Sequence, residues 1–333
     1  MARFAVVGSG AWGTALAAHL ARLEHEVMLW AFEREVAEEI CSAHINSAFL
    51  PGLALPQTIG ASHDMATAVS GAEIVILVPP STHLRAVSSV LAPVLPRDAI
   101  VVIATKGIEE ESLRLMSQVV AETMPAVGPE RLAFLSGPTF AREVGQGLPT
   151  DVVVASTDMV AARRLQSLVH SVSLRVYTSA DPIGVQVGGA IKNVMAIATG
   201  ASDGLAFGNN ARAALITRGL VEITRLGVTM GAKAETFAGL AGLGDLITTC
   251  VSPEGRNRSV GEQIGKGRTL EQVLEKMDSV AEGVPTTRSV MQLARKYNVE
   301  MPITEAVHAI LFDEKDVLDA LADLMTRDPK PEA

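Results

Sequence analysis

The feature that most restricts this chain is a run of glycines near its start, Gly8-Ser9-Gly10-Ala11-Trp12-Gly13. It follows a short apolar run, residues 3–7, and precedes an apolar stretch of helical spacing over 11–23. A strand that turns sharply into a helix needs backbone without Cβ atoms at three points. Gly8 permits the tight turn, Gly10 lets a phosphate approach the main chain, and Gly13 lets the helix lie close on the strand. The helix start then presents unpaired N–H groups to negative charge. The turn predicts a dinucleotide-binding α/β domain.

The first half keeps up the alternation this requires. Strands are expected at 3–7, 26–30, 73–78, 99–104, 132–135, 151–155 and 174–177, with helices such as 109–123 and 159–169 between them. That order implies a mainly parallel sheet covered on both faces, with ligands beyond the carboxyl ends of the strands. Past Asp181-Pro182 the strand signal fades. Ala, Leu, Met and Gly recur there at helical spacing, in long segments such as 211–226 and 286–297. Gly227, Gly231 and Pro302 read as helix ends. The length of 333 residues accommodates about two domains. Residues 1–180 are expected to form a doubly wound, Rossmann-type α/β domain, and residues 181–333 an all-α substrate-binding domain.

Charge and composition narrow the function. A formal charge of −9 disfavours nucleic acid, which needs a basic face, yet leaves room for a small anion held by a few focused cations. Cys41 and Cys250 stand far apart and read as free thiols in a reducing, cytoplasmic setting. Seven histidines without ligand spacing predict no metal. Arg3 and the apolar run up to Ala17 imitate a secretory signal, but glycines at 8, 10 and 13 have no use in one. Residues 185–207 are apolar but are interrupted by Lys192, Asn193 and Asp203, so a buried helix fits and membrane insertion does not. Gly265-Lys266 is followed by Gly267, which rules out a phosphate-binding P-loop.

Some candidate residues follow from chemistry alone. NAD binders place an acid at the end of the second strand, but that strand ends Leu29-Trp30-Ala31-Phe32, with Glu33 and Arg34 just beyond. Glu33 suits NAD and Arg34 suits the extra phosphate of NADP; both also suit the exposed start of a helix. Lys192 has Gly188 and Gly189 four and three residues back on one helix face, bare backbone that would let cofactor or substrate come close. A lysine works as a base only where burial or a nearby cation lowers its pKa. Lys106 follows a strand end, on the ligand side of the sheet.

Six segments in order go beyond a generic dinucleotide fold. They are Ala104-Thr105-Lys106-Gly107, Ser136-Gly137-Pro138-Thr139-Phe140-Ala141, Gly188-Gly189-Ala190-Ile191-Lys192-Asn193, Ala241-Gly242-Leu243-Gly244-Asp245-Leu246, Arg256-Asn257-Arg258 and Glu282-Gly283. From about residue 3 to about 310 the chain resembles the bacterial NAD(P)-dependent glycerol-3-phosphate dehydrogenases. The resemblance implies a 6-phosphogluconate dehydrogenase-like pair of domains, NAD(P)H as cofactor, and interconversion of dihydroxyacetone phosphate and sn-glycerol 3-phosphate for phospholipid synthesis. It implies Lys192 as the catalytic proton acceptor, and Gly8, Gly10, Ala11, Trp12, Gly13, Phe32, Lys106, Ala141, Arg256, Val280 and Glu282 at the cofactor.

For substrate the same resemblance implies Lys106, Gly137, Thr139, Lys192, Asp245, Gly255, Arg256 and Asn257. Asp245 would hold hydroxyls, a helix cap being the other reading of that carboxylate. Arg256 and Asn257 would grip the phosphate, since guanidinium matches its geometry. Arg258 reads as a spare surface charge. Gly255 stands where family members often carry serine, and so offers only a backbone N–H. Phe32 replaces a basic or imidazole residue, which leaves the choice between NAD and NADP open. Apolar helical surfaces and family habit suggest a homodimer. A related two-domain dehydrogenase of hydroxyacyl or ketopantoate-like substrates would share the fold and should differ at Asp245 and Arg256-Asn257. A nucleotide-sensing module would bind dinucleotide without turnover and would have no need of Lys106, Lys192 and Asp245 together.

Overall fold

The computed structural model describes residues 1–277, 280–329 and 331. Its first half holds eight strands: β1 (Arg3–Val7), β2 (Glu26–Trp30), β3 (Ile59–Ser62), β4 (Ile74–Leu77), β5 (Ile100–Ile103), β6 (Leu132–Ser136), β7 (Thr150–Ala155) and β8 (Leu174–Ser179). They form one sheet in the order β3-β2-β1-β4-β5-β6-β7-β8. Every pairing is parallel except β6 with β7, where Leu135 faces Val154. The order reverses between β1 and β4, which opens a crevice at their carboxyl ends.

Strands β4 and β5 are buried along their whole length, as a sheet covered on both faces requires. Phe4 and Val6 of β1 point to one apolar core, and Ala5 and Val7 to the other. Some helices start where an aspartate satisfies orphan N–H groups. Asp64 accepts from Thr67 N at 2.8 Å and Asp158 from Val160 N at 2.8 Å.

The helical half gathers around one helix, Pro182–Gly204, that is buried on nearly all sides. An apolar surface all round is what a central helix needs. Asp181 caps its start and also takes Lys233 N at 2.9 Å and Thr236 Oγ1 at 2.6 Å, so one buried carboxylate ties two helix starts together. Among the described residues, no helix is long and apolar enough to cross a membrane.

Several sequence expectations change. The helix expected at 109–123 covers only Met116–Thr123. Glu109 is held by Arg85 at 2.8 and 2.7 Å and Leu113 adopts a positive φ, so 109–115 forms a turn instead. Strand β3 lacked a readable apolar period, and the helix Arg34–Ala43, which buries Val36, Ala37 and Ile40 on one face, was not expected. Gly227 does not end a helix: it lies inside Gly208–Thr229, where a Cβ would sit 2.2 Å from the Phe237 ring. Close packing placed it there.

Candidate active site

The glycine turn sits where the sequence puts it, between β1 and the helix Ala11–Arg22. Gly8 has φ +121°, and a Cβ there would meet the Val78 carbonyl group at 3.0 Å. A Cβ on Gly13 would lie 1.9 Å from the Gly8 oxygen, so helix and turn touch through backbone. At Gly10 a Cβ would meet nothing within 4 Å: open space faces this glycine. Trp12 beside it carries an indole Nε1 that is buried and lacks a hydrogen-bond partner. A bare helix start, open space at Gly10 and an orphaned donor are what a dinucleotide phosphate site needs. These residues fit that group. Ala11 begins the helix and packs partly on the core.

Asn46, which sequence reasoning missed, holds this turn from outside. It is buried, and its Nδ2 donates to Ser9 O and Thr14 Oγ1, both at 2.8 Å. No local pattern marks a loop asparagine 37 residues away from its acceptor.

At the end of β2 the Phe32 ring is 78% exposed and stands edge-on to Trp30 at 6.2 Å. Glu33 and Arg34 do mark a helix start. Arg34 Nη2 lies 2.8 Å from His63 Nε2.

The second cluster forms where the long helix passes the carboxyl ends of β5 and β6. Lys106 follows β5, Gly137 follows β6, and Lys192 points out of the central helix. The two lysines meet at Asp245, which is 0% exposed. One Asp245 oxygen accepts Lys192 Nζ, and the other accepts Lys106 Nζ at 2.7 Å. Lys106 Nζ also donates to Gly137 O at 3.1 Å, and Ser136 Oγ lies 3.4 Å from the carboxylate. Two amines thus share one carboxylate. Asp245 does not cap its helix, and its oxygens are engaged by lysines.

Lys192 is only 6% exposed. Burial lowers its pKa to about 8; Asp245 opposes the fall and Lys106 adds to it. An amine in this state can both give and take a proton near neutrality.

Backbone geometry explains how these groups meet. Residues Leu240–Gly244 form a π-turn just before Asp245, a widened turn common at functional sites. Gly188 and Gly189 do not open space for ligand, as their position suggested. A Cβ on Gly188 would strike Ala241 O at 2.5 Å, and one on Gly189 would meet Ser136 Oγ at 2.9 Å. They make room for protein. Gly137 itself has φ +138°, and a Cβ there would crowd Asp151 O at 3.0 Å. Among the described residues Thr139 bonds only within its loop, to Gly137 O at 3.2 Å, and Ala141 opens the following helix.

The third group lies at the start of the helix Arg256–Gly265. The Asn257 carbonyl accepts Gly283 N at 2.9 Å, while its amide Nδ2 bonds to none of the described residues. Arg256 is exposed and makes no hydrogen bond or ion pair to them, but its charge is near enough to lower the pKa of Glu282. Gly255 N–H is already given to Ser252 O at 3.3 Å, so it is less available than the sequence suggested.

Arg258 is the clear correction. Expected as a surface charge, it is 9% exposed and is bonded to Asp203, Glu262 and Ser252 O.

Glu282 joins the two halves. Its carboxylate accepts Ser81 N at 2.9 Å and the Ser81 hydroxyl, just after β4. Burial pushes its pKa up. Ser81 was missed because nothing in Pro79-Pro80-Ser81 marks a partner 201 residues away. Val280 is 41% exposed.

Comparison with known proteins agrees along the chain. Sequence models described as NAD-dependent glycerol-3-phosphate dehydrogenase N-terminus and C-terminus match residues 3–162 and 181–322. The chain is 50% identical over 330 residues to a glycerol-3-phosphate dehydrogenase (NAD(P)+) of Geobacter sp. strain M21, covering 99% of this chain and 98% of that one. Against the crystal structure of glycerol-3-phosphate dehydrogenase from Coxiella burnetii the TM-score is 0.93 at 39% identity, with 98% of this chain and 99% of that chain covered. A ketopantoate reductase from Ralstonia eutropha JMP134 is 18% identical, with a TM-score of 0.58, 97% of this chain and 99% of that chain being covered. That likeness is one of fold alone.

Proposed function

The chain belongs to the NAD-dependent glycerol-3-phosphate dehydrogenase family, and on that premise we propose how its own residues carry the reaction. It is an NAD(P)-dependent oxidoreductase that interconverts sn-glycerol 3-phosphate and dihydroxyacetone phosphate. The observation that carries the assignment of roles is the buried cluster of Lys192, Asp245 and Lys106 at the carboxyl ends of the strands.

The turn Gly8–Gly13, with Phe32, Ala141, Val280 and Glu282, would hold the cofactor, which when bound would supply or receive a hydride at C2. In reduction Lys192 gives a proton from Nζ to the C2 oxygen, and in oxidation it takes that proton back. Asp245 keeps the ammonium form oriented. Lys106 adds positive charge beside the developing oxyanion and lowers the pKa of Lys192. Arg256 and the Asn257 amide receive the phosphate, and Gly137 and Thr139 line the approach. Gly255 contributes the shape of the turn.

We divide the roles at residue 180: residues 1–180 bind the dinucleotide and 181–333 complete the substrate site. In the cell this reading puts the enzyme in the cytoplasm, as a homodimer, running toward glycerol 3-phosphate for phospholipid synthesis. Sedimentation of the purified chain at the mass of a monomer would remove the dimer.

The test of function is loss of reduced-cofactor absorbance with dihydroxyacetone phosphate, run with NADH and with NADPH. Turnover is expected. Turnover of ketopantoate in its place would overturn the substrate reading.

A further inference from the structure

Outside the groups that would touch substrate, the helical half buries one more network of charge. Arg258 spends its whole guanidinium on protein. Nε donates to Ser252 O at 2.9 Å, Nη1 to Asp203 Oδ2 at 2.6 Å and Nη2 to Glu262 Oε2 at 3.0 Å. Asp203 in turn accepts Arg212 on its other oxygen, at 2.6 and 3.1 Å. These partners are not scattered. Ser252 begins the turn that leads into Arg256 and Asn257, and Asp203 lies on the helix that carries Lys192.

The two helices also touch through backbone. A Cβ on Gly200 would lie 2.0 Å from Arg258 O, and one on Gly261 2.0 Å from Ile197 O. Such contact fixes the spacing of the helix bodies and the backbone at Arg258 itself, but not the loop before the shorter helix, where Ser252 lies. The Arg258 side chain reaches that loop. A planar fork with donors in three directions can hold a carbonyl and two carboxylates at once; an ammonium cannot. A buried ion pair is weak evidence for stability, because an apolar side chain of like volume often serves as well. Its specific product is geometry.

We propose that Arg258 is a positioning residue for the phosphate end of the substrate. By tying the Ser252 turn to Asp203 it sets Arg256 and Asn257 at one separation from Lys192, and so matches the cleft to a three-carbon phosphorylated ketone. This rests on the assignment of Arg256 and Asn257 to the phosphate, and the experiment separates the two ideas.

Arg258→Lys, Arg258→Met and, as the reference, Arg256→Ala are compared with the parent enzyme on dihydroxyacetone phosphate and on unphosphorylated dihydroxyacetone. Inhibition by inorganic phosphate is measured alongside. For Arg258→Lys, kcat/KM on the phosphorylated substrate should fall at least about tenfold, while that on dihydroxyacetone holds, since misplacement of about 1 Å can cost that much or more. The inhibition constant of phosphate should rise in step, and KM for the cofactor should not move. An equal loss on both substrates, or an unchanged phosphate constant, overturns the proposal. If Arg258→Met does not fold, Arg258→Lys and Glu262→Gln carry the test, the second expected to shift the same ratio less. Should Arg256→Ala leave the ratio intact, the phosphate assignment itself falls; should it collapse the ratio while Arg258→Lys does not, only the present inference falls.

Discussion

At the carboxyl end of β1 the site is made of backbone: three glycines, a helix start and open space, with no charged side chain in the turn. Where the central helix meets β5 and β6, the site is made of side chains: two lysines and a carboxylate, buried and mutually bonded. The first arrangement is a matter of local sterics and its occupant is chosen by shape and dipole. The second is a matter of charge balance in a dry setting, where removing one member changes the state of the others. A backbone site fails by obstruction and a side-chain site by unbalanced charge.

The sharpest break between the halves is Lys192→Ala. It should reduce kcat by about 10² to 10⁴, the usual worth of a positioned proton donor. Cofactor affinity, read by fluorescence titration of NADPH, should stay near that of the parent, because the glycine turn is untouched. A near-normal rate would remove Lys192 from the chemistry.

The converse substitution is Gly13→Ala. Its new Cβ would sit 1.9 Å from the Gly8 oxygen, so the turn must move. Overpacking of this kind costs about 1–3 kcal/mol, to be read as a lower denaturant midpoint, and cofactor affinity should fall with it. Unchanged affinity would mean that the turn does not hold the dinucleotide.

The smallest effect sharpens the comparison through pH. With the Lys192 pKa lowered to about 8, reduction needs the ammonium and should decline as pH rises through about 8. Oxidation needs the free amine and should rise over the same range. Asp245 holds that pKa up against burial, so Asp245→Asn should move both limbs to lower pH. The rate profiles of parent and variant decide it. Limbs that stay in place would assign the titration to another group.

Much of the fold was readable because its signals are local. Seven of the eight strands, the glycine turn and the buried character of the Pro182–Gly204 helix follow from periodicity within a few residues. Strand β3 was not readable: Ile59-Gly60-Ala61-Ser62 carries one large apolar side chain. Nor was the antiparallel placing of β7, since residue pattern does not encode strand direction. Arg258 was misread because an arginine on a polar stretch resembles a surface residue until Asp203 and Glu262 are seen around it.

From the residues alone came the order of elements, the dinucleotide turn and a lysine in an apolar helix with glycines beside it. The tertiary structure decided what those glycines and that lysine face. Asp245 lies 53 residues from Lys192 and 139 from Lys106, yet binds both. Periodicity and turn sterics act between neighbours in the chain and are written in it directly. The charge state of a buried amine depends on groups that only folding brings within a few ångströms, because electrostatic interaction in a dry interior is governed by distance in space.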